Sequence, residues 1–175
     1  MIQTEQTIRI AAPIDQVWAY AKDVERWAEI MPGYQECQIA DEDNSRWVLK
    51  VGVGGLVRTV KVQVHVDRWA GPEAVDFTFK AEGDPVTGGG SYRATAQGAE
   101  TDVALLVKVE GQGPMAPMWE AMGGPMLPKF AKSFAEQLRD RIEAIAGGAT
   151  LEEVTARPPS LWARFMAWLK RLFGG

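Results

Sequence analysis

Apolar residues recur every three or four positions across residues 125–146 and predict one long amphipathic α-helix. Its apolar face is formed by Met126, Phe130, Phe134, Leu138 and Ile142, with charged residues opposite. Glycines at 147 and 148 predict where the helix ends. A helix with one wide apolar face has to be covered by another layer, so the rest of the chain should supply a sheet.

Strict alternation of apolar and polar positions predicts that sheet. In residues 57–67 four valines alternate with polar side chains, which indicates a strand with one buried and one wet face. Similar patterns predict strands near 3–10, 34–41, 47–53, 75–82, 90–97 and 103–109, with short helices near 12–18 and 24–30. The order predicts an α+β helix-grip fold, in which a curved antiparallel sheet of about six to seven strands surrounds the long helix.

The chain divides into a predicted domain at 1–146, a linker at 147–159 and an amphipathic tail helix at 160–175. Projected at 100° per residue, the tail's large apolar side chains fall within an arc of about 160°, with the cations outside it. We expect a membrane-binding face made of Leu161, Trp162, Arg164, Phe165, Trp168, Leu169, Lys170, Arg171, Leu172 and Phe173.

The tail helix is too short to cross a bilayer. Thirteen residues span about 20 Å, against a hydrocarbon thickness of about 30 Å, so we expect the helix to lie in the interface. Tryptophans and flanking cations favour that depth. The same pattern also suits docking in a protein groove or on the chain's own domain, and this alternative stays open.

Charge and composition narrow the function classes. The 175 residues carry a net charge of −4, yet residues 157–175 hold four basic side chains and no acidic one. An acidic body does not suggest nucleic-acid binding. The single cysteine, Cys37, excludes an internal disulfide and a cysteine-based zinc site, and we expect it to be a half-buried structural thiol.

The search for catalytic chemistry finds little. No carboxylate pair falls on the predicted inner face, so no candidate for acid–base catalysis is expected there. His65 alternates with valines and is expected at the surface, and metal binding is not predicted. The glycine runs at 52–55 and 88–90 are interpreted as turns or bulges, because neither precedes a helix or carries a phosphate-loop lysine.

Two features favour a cavity between the sheet and the helix. Tyr92, Ala94 and Ala96 put mostly small side chains on an inner face, and four methionines cluster in residues 115–126 among glycines and prolines. That segment is interpreted either as a flexible apolar lid or as an irregular helix start. The candidate ligand-binding residues are Trp18, Trp27, Phe77, Phe79, Tyr92, Met118, Met122, Met126, Phe130 and Phe134.

Particular segments resemble a known superfamily. The stretch at 10–18, Ile-Ala-Ala-Pro-Ile-Asp-Gln-Val-Trp, and the stretch at 27–33, Trp-Ala-Glu-Ile-Met-Pro-Gly, are similar to the START-like, or polyketide cyclase (SRPBCC), superfamily. The Pro-Gly at 32–33 followed by a polar strand with a cysteine resembles one branch of it, the CoxG family associated with carbon monoxide dehydrogenase. The resemblance covers roughly residues 1–146.

The resemblance implies a deep apolar cavity and a non-catalytic role beside a membrane. It suggests menaquinone or ubiquinone as a non-covalently bound cargo, with no covalently bound cofactor. It also suggests a partner such as a carbon monoxide dehydrogenase-type molybdenum hydroxylase at the cytoplasmic face of the cell membrane. Two alternatives remain: a cyclase or dehydratase of the same superfamily, and a ligand-free scaffold with a filled core.

Overall fold

The computed structural model describes residues 1–53, 56–150 and 152. Seven strands form one antiparallel sheet in the spatial order β1-β7-β6-β5-β4-β3-β2. The strands are β1 (Ile2–Ile10), β2 (Tyr34–Ile39), β3 (Asn44–Val53), β4 (Leu56–Ala70), β5 (Ala74–Ala81), β6 (Val86–Gln97) and β7 (Glu100–Gly111). Each strand from β2 to β7 pairs with its neighbours in sequence, and β1 returns to pair with β7.

Four α-helices lie within the described residues, and they cover one face and one end of the sheet. They are α1 (Ile14–Ala21), α2 (Val24–Ile30), α3 (Ala116–Gly123) and α4 (Leu127–Ala146), and a 3-10 turn (Gly113–Met115) leads into α3. The predicted α+β helix-grip arrangement is confirmed, with α4 as its long helix. None of the helices described is long and apolar enough to cross a membrane.

The structure differs from the predicted elements at the glycine run of residues 88–90. These glycines do not form a turn, since they lie inside β6 and pair with both β5 and β7. The turn lies earlier, at the bends of residues 82–85. Alternation could not reveal this part of the strand, because glycine has no side chain to alternate.

The solid core fills only one end of the fold. Leu138 and Ile142, in the second half of α4, pack with α1, α2 and the sheet, and Val17, Tyr20 and Val103 are among the buried residues there. Thr101 donates a 2.7 Å hydrogen bond to the carbonyl of Ala12 and ties β7 to the loop before α1. The first half of α4 therefore stands above a part of the sheet that is not filled.

Candidate functional site

A cavity of about 580 Å³ lies between the first half of α4 and the concave face of the sheet. This volume falls within the ~300–1,000 Å³ typical of small-molecule pockets. Helix α4 contributes the residues Leu127, Phe130, Ala131 and Phe134, which occupy its first two turns. The cavity thus ends where the solid packing around Leu138 begins.

The sheet contributes valines at every second position of β4. Val60, Val62, Val64 and Val66 all line the cavity, as the alternation predicted. His65 lies on the opposite face, where its Nδ1 is 2.8 Å from the amide oxygen of Asn44. The apolar wall therefore follows from the pleat of a single strand.

Two phenylalanine–glycine pairs shape the cavity floor. Phe77 and Phe79 on β5 both line the cavity, and they pair with Gly90 and Gly88 on β6. A Cβ added at Gly90 would come within 2.7 Å of the Phe77 ring and 2.1 Å of the Leu106 carbonyl oxygen. Only glycine therefore lets the aromatic rings lie this close to β6. Ala94 and Ala96 do not provide the room, because Ala94 belongs to the core and Ala96 is exposed.

An aromatic cluster closes the inner end. The Trp27 ring packs edge-on against Phe77 and Phe134, with centroid distances of 5.9 and 6.2 Å. Its indole N–H donates a 2.7 Å hydrogen bond to the Ala21 carbonyl, which fixes the ring. Tyr92 lies behind Trp27, at a centroid distance of 6.1 Å. Ring contacts of this kind stabilise the packing of the inner wall.

The hydroxyl of Tyr92 is an unsatisfied polar group in this apolar surrounding. Its side chain is fully buried, and the oxygen has no hydrogen-bond partner among the described residues. Burial raises the pKa of Tyr92 above its ordinary value, so the phenol stays protonated and keeps its O–H available as a donor. Tyr92 pairs across the sheet with Val75 and Leu105, which both line the cavity.

Charged side chains line the mouth, where the sequence predicted only apolar residues. Arg58 donates a 2.7 Å hydrogen bond to Asp84, and its guanidinium carbon lies 5.9 Å from the centre of the Trp119 ring. Glu120 also lies on the cavity lining and contacts the amino group of Met1. Asp84 lies in the turn before β6 and Glu120 on α3, so neither contradicts the prediction that no carboxylate pair falls on the inner face of the strands. Arg58 and Asp84 are 26 positions apart, and no local pattern brings them together.

Helix α3 forms one side of the mouth. Trp119, Met122 and Gly123 line the cavity, but none of the eight residues of α3 is buried. Its inner side packs against β7, where a Cβ on Gly111 would come within 3.1 Å of Trp119. The methionine-rich segment is thus a short helix followed by a break before α4. The movement of this segment as a lid stays a prediction.

The structure places seven of the ten candidate ligand-binding residues on the cavity lining. They are Trp27, Phe77, Phe79, Met122, Met126, Phe130 and Phe134. Trp18 and Tyr92 instead belong to the aromatic packing behind the inner end, and Met118 points outward with 41% of its surface exposed. The ten candidate membrane-binding residues, Leu161 to Phe173, lie outside the described residues.

Helix α1 reaches the inner end through Trp18. This ring packs against Trp69 at a centroid distance of 6.2 Å and against Tyr92 at 6.5 Å. It also lies against Gly71, where a Cβ would come within 2.1 Å of the indole. Trp18 therefore supports Tyr92 from behind, and this contact explains why Trp18 lies off the lining.

Cys37 and the acidic residues form no metal site in the described part of the chain. No group of three or more histidine, cysteine or carboxylate side chains there could hold an ion. Cys37 is half-buried against the core, and burial raises the pKa of its thiol to about 11. Its half-buried position agrees with the sequence prediction, and its structural role stays a prediction.

Comparison with known protein families identifies the family of this chain. A family model described as polyketide cyclase / dehydrase and lipid transport matches residues 1–145. The chain belongs to this family. A candidate polyketide cyclase from Streptomyces cyaneus is 42% identical over 40 residues, which are 23% of this chain and 26% of that relative's own length. This alignment spans about a quarter of the relative.

Several solved structures share the fold of this chain. A conserved protein from Geobacillus kaustophilus superposes with a TM-score of 0.70 at 17% identity, covering 81% of this chain and 95% of its own. A START superfamily protein from Mycobacterium smegmatis gives 0.63 at 16% identity, covering 82% and 98%. The ZhuI aromatase/cyclase from a Streptomyces species gives 0.58 at 21% identity, covering 85% and 99%.

Family membership leaves the chemistry of this chain open. The family binds lipophilic small molecules, in agreement with the predicted superfamily and with the apolar cavity. It also takes in cyclases and dehydrases, which counts against the prediction of a non-catalytic protein without deciding it. Membership of the CoxG branch stays a prediction.

Proposed function

We propose that this protein is a non-catalytic carrier for a lipophilic molecule, with menaquinone or ubiquinone as the leading candidate. The observation that carries the proposal is the cavity of about 580 Å³, whose lining is apolar apart from Ser91 and the charged groups at its mouth. Aromatic rings at the inner end offer flat surfaces to a ring system. A ligand-free scaffold would have a filled core, and the open cavity argues against that alternative.

The tail would keep the carrier at its source of cargo. Its apolar face and cations suit the cytoplasmic membrane surface, where the carrier would serve a redox enzyme such as a carbon monoxide dehydrogenase-type molybdenum hydroxylase. The resemblance to the CoxG family supports this partner and this location. In this proposal residues 1–146 bind the cargo and residues 160–175 bind lipid, and residues 147–159 link the two segments.

The test is to identify the bound molecule. Full-length protein purified from membranes would be examined intact by native mass spectrometry, and then after denaturing extraction. We expect one bound prenylated molecule that is released on denaturation. Protein that stays empty after expression in several hosts with different quinones would contradict the carrier function.

A cyclase or dehydratase of the same family is the second candidate. The observations that favour it are the cyclase names among its relatives, the pair of Arg58 and Asp84 at the cavity mouth, and the buried hydroxyl of Tyr92 behind the inner end. The test supplies a linear polyketide analogue and measures product. Turnover that is lost in Tyr92→Phe, Arg58→Met or Asp84→Asn would support an enzyme and displace the carrier.

A further inference from the structure

Large apolar side chains that are exposed concentrate around one place on the surface. Six such residues occur in the described part of the chain, and four of them are methionines on or next to α3, at the cavity mouth. These four, which we call the mouth rim, are Met1, Met115, Met118 and Met122. Met118 and Met122 belong to α3 and Met115 caps it, while the amino group of Met1 contacts the lining residue Glu120. Val57 is not part of the rim, because it alternates with the lining residues Arg58 and Val60 and so faces the other side of the sheet.

Helix α3 makes the rim unusual for a water-facing surface. A helix that is apolar on most of its circumference is normally buried by a partner. Here no residue of α3 is buried, and Met118 and Met122 are 41% and 42% exposed. Met122 also lines the cavity, so apolar surface runs without a break from the outside of the protein into the binding site.

We propose that the mouth rim inserts into the surface of a lipid bilayer, so that cargo passes between membrane and cavity without crossing water. This inference rests on the proposed carrier function. The charged groups at the mouth are compatible with a membrane interface, because Arg58 is paired with Asp84 and Glu120 with the amino group of Met1. Pairing lowers the cost of bringing charge toward an apolar phase.

A bilayer fits the rim better than a protein partner. Four side chains exposed by 41% to 66% offer less than the ~800 Å² per partner that a standard protein interface buries. Lipid needs no matching shape, and methionine adapts its flexible side chain to irregular apolar surroundings. The rim could also bind the rim of a second copy of this chain, and the experiment must distinguish this dimer from insertion into a bilayer.

Chain length allows the rim and the tail to reach the same membrane. The mouth lies at the start of α4, whose 20 residues carry the chain about 30 Å away from it. Residues 147–159 span at most about 43 Å when extended, so the segment after them can return to the level of the mouth. The rim would then face the bilayer that the tail binds.

The test places an environment-sensitive probe on the rim of the full-length protein. Because Cys37 is the only cysteine, Cys37→Ala with Met118→Cys gives a single site for the fluorophore NBD, and Cys37→Ala with Ile39→Cys gives a matched exposed control. Both proteins are mixed with vesicles of phosphatidylethanolamine and phosphatidylglycerol in equal parts. We expect a blue shift and quenching by lipid-borne nitroxides at position 118 and neither at position 39.

Two outcomes would overturn the proposal. One is an aqueous emission at position 118 while the protein sediments with the vesicles, which would leave the tail as the membrane contact. The other is a blue shift that occurs without vesicles and rises with protein concentration, which would indicate a dimer. Either result leaves the mass-spectrometric test of bound cargo unaffected, so the two proposals fail separately.

Discussion

The ring of Phe79 lies against Gly88 on the neighbouring strand, where an added Cβ would sit 2.3 Å from its Cζ. The two residues face each other directly in the β5–β6 pairing, and Phe77 and Gly90 repeat the arrangement two positions away. Aromatic side chains often cover glycines in this way and fix strand register. The cavity floor therefore depends on the absence of two side chains.

Substituting Gly88 with valine should destabilise the fold. Its Cβ would also come within 2.3 Å of the Lys108 carbonyl oxygen, so both the ring and the β6–β7 pairing must move. We expect a loss of at least roughly 1–3 kcal/mol, measured by urea unfolding. Thr95→Ala, at an exposed site of the same strand, serves as the control and should change stability little. Unchanged stability of Gly88→Val would show that Phe79 can leave the floor freely.

Filling the cavity should abolish binding while the protein stays folded. Ala131 lines the cavity on α4, so Ala131→Phe places a ring in open space. We expect the purified variant to carry no cargo in native mass spectrometry, with a melting temperature equal to or above that of the unchanged protein. Ala135→Phe, one helical turn on, enters the packed core and should destabilise by about 1–3 kcal/mol. Cargo retained by Ala131→Phe would place the binding site elsewhere.

The fold could be predicted because its elements follow simple periodicities. The alternation of Val60, Val62, Val64 and Val66 fixed which face of β4 is inside, and the four-residue spacing from Phe130 to Ile142 located α4. Burial of one apolar face stabilises both kinds of element, so their periodicities can be recognised in a single sequence. The glycines at 88–90 were misinterpreted, because glycine is common in turns and a strand glycine shows itself only through its cross-strand partner.

The site could be predicted only in part, because its limits depend on contacts between distant segments. The apolar patterns of α4 and β5 predicted that these elements line a cavity. No feature of the local sequence distinguishes Phe134, which lines the cavity, from Leu138, which lies in the packed core. The ion pair of Arg58 and Asp84 joins strand β4 to the turn before β6, and the Trp18 indole lies against Gly71. Such tertiary relationships leave no periodic signal in the sequence.

Removing the hydroxyl of Tyr92 should stabilise the empty protein. The buried oxygen has no partner within the described residues, and a group in that state costs about 1–3 kcal/mol. Tyr92→Phe keeps the ring contacts with Trp18 and Trp27 and removes this cost. We expect a higher urea midpoint for cargo-free protein, obtained by refolding after extraction. A lower midpoint would mean that the hydroxyl is satisfied in solution.

Cys37 should react slowly with alkylating reagents in the native protein. Burial raises the pKa of its thiol to about 11 from a reference of 9.0, so the reactive thiolate is roughly 100-fold rarer at pH 8. We expect iodoacetamide labelling, followed by mass spectrometry, to be slower by at least that factor than in urea-unfolded protein. Equal rates in the two states would show that the strand carrying Cys37 opens readily.

The ion pair between Arg46 and Glu82 should contribute to acid sensitivity. Two hydrogen bonds from Arg46, of 2.7 and 2.8 Å, lower the pKa of Glu82 from 4.5 to about 2. Because the unfolded chain takes up this proton first as the pH falls, the stabilisation by the ion pair is present above about pH 4.5 and is lost toward pH 2.

In Glu82→Gln the melting temperature should therefore fall less between pH 6 and pH 3 than in the unchanged protein, when followed by circular dichroism. Glu42→Gln makes the same charge change at an exposed turn and should keep the original pH dependence. If both variants show equal slopes, the pair adds nothing to stability in this range.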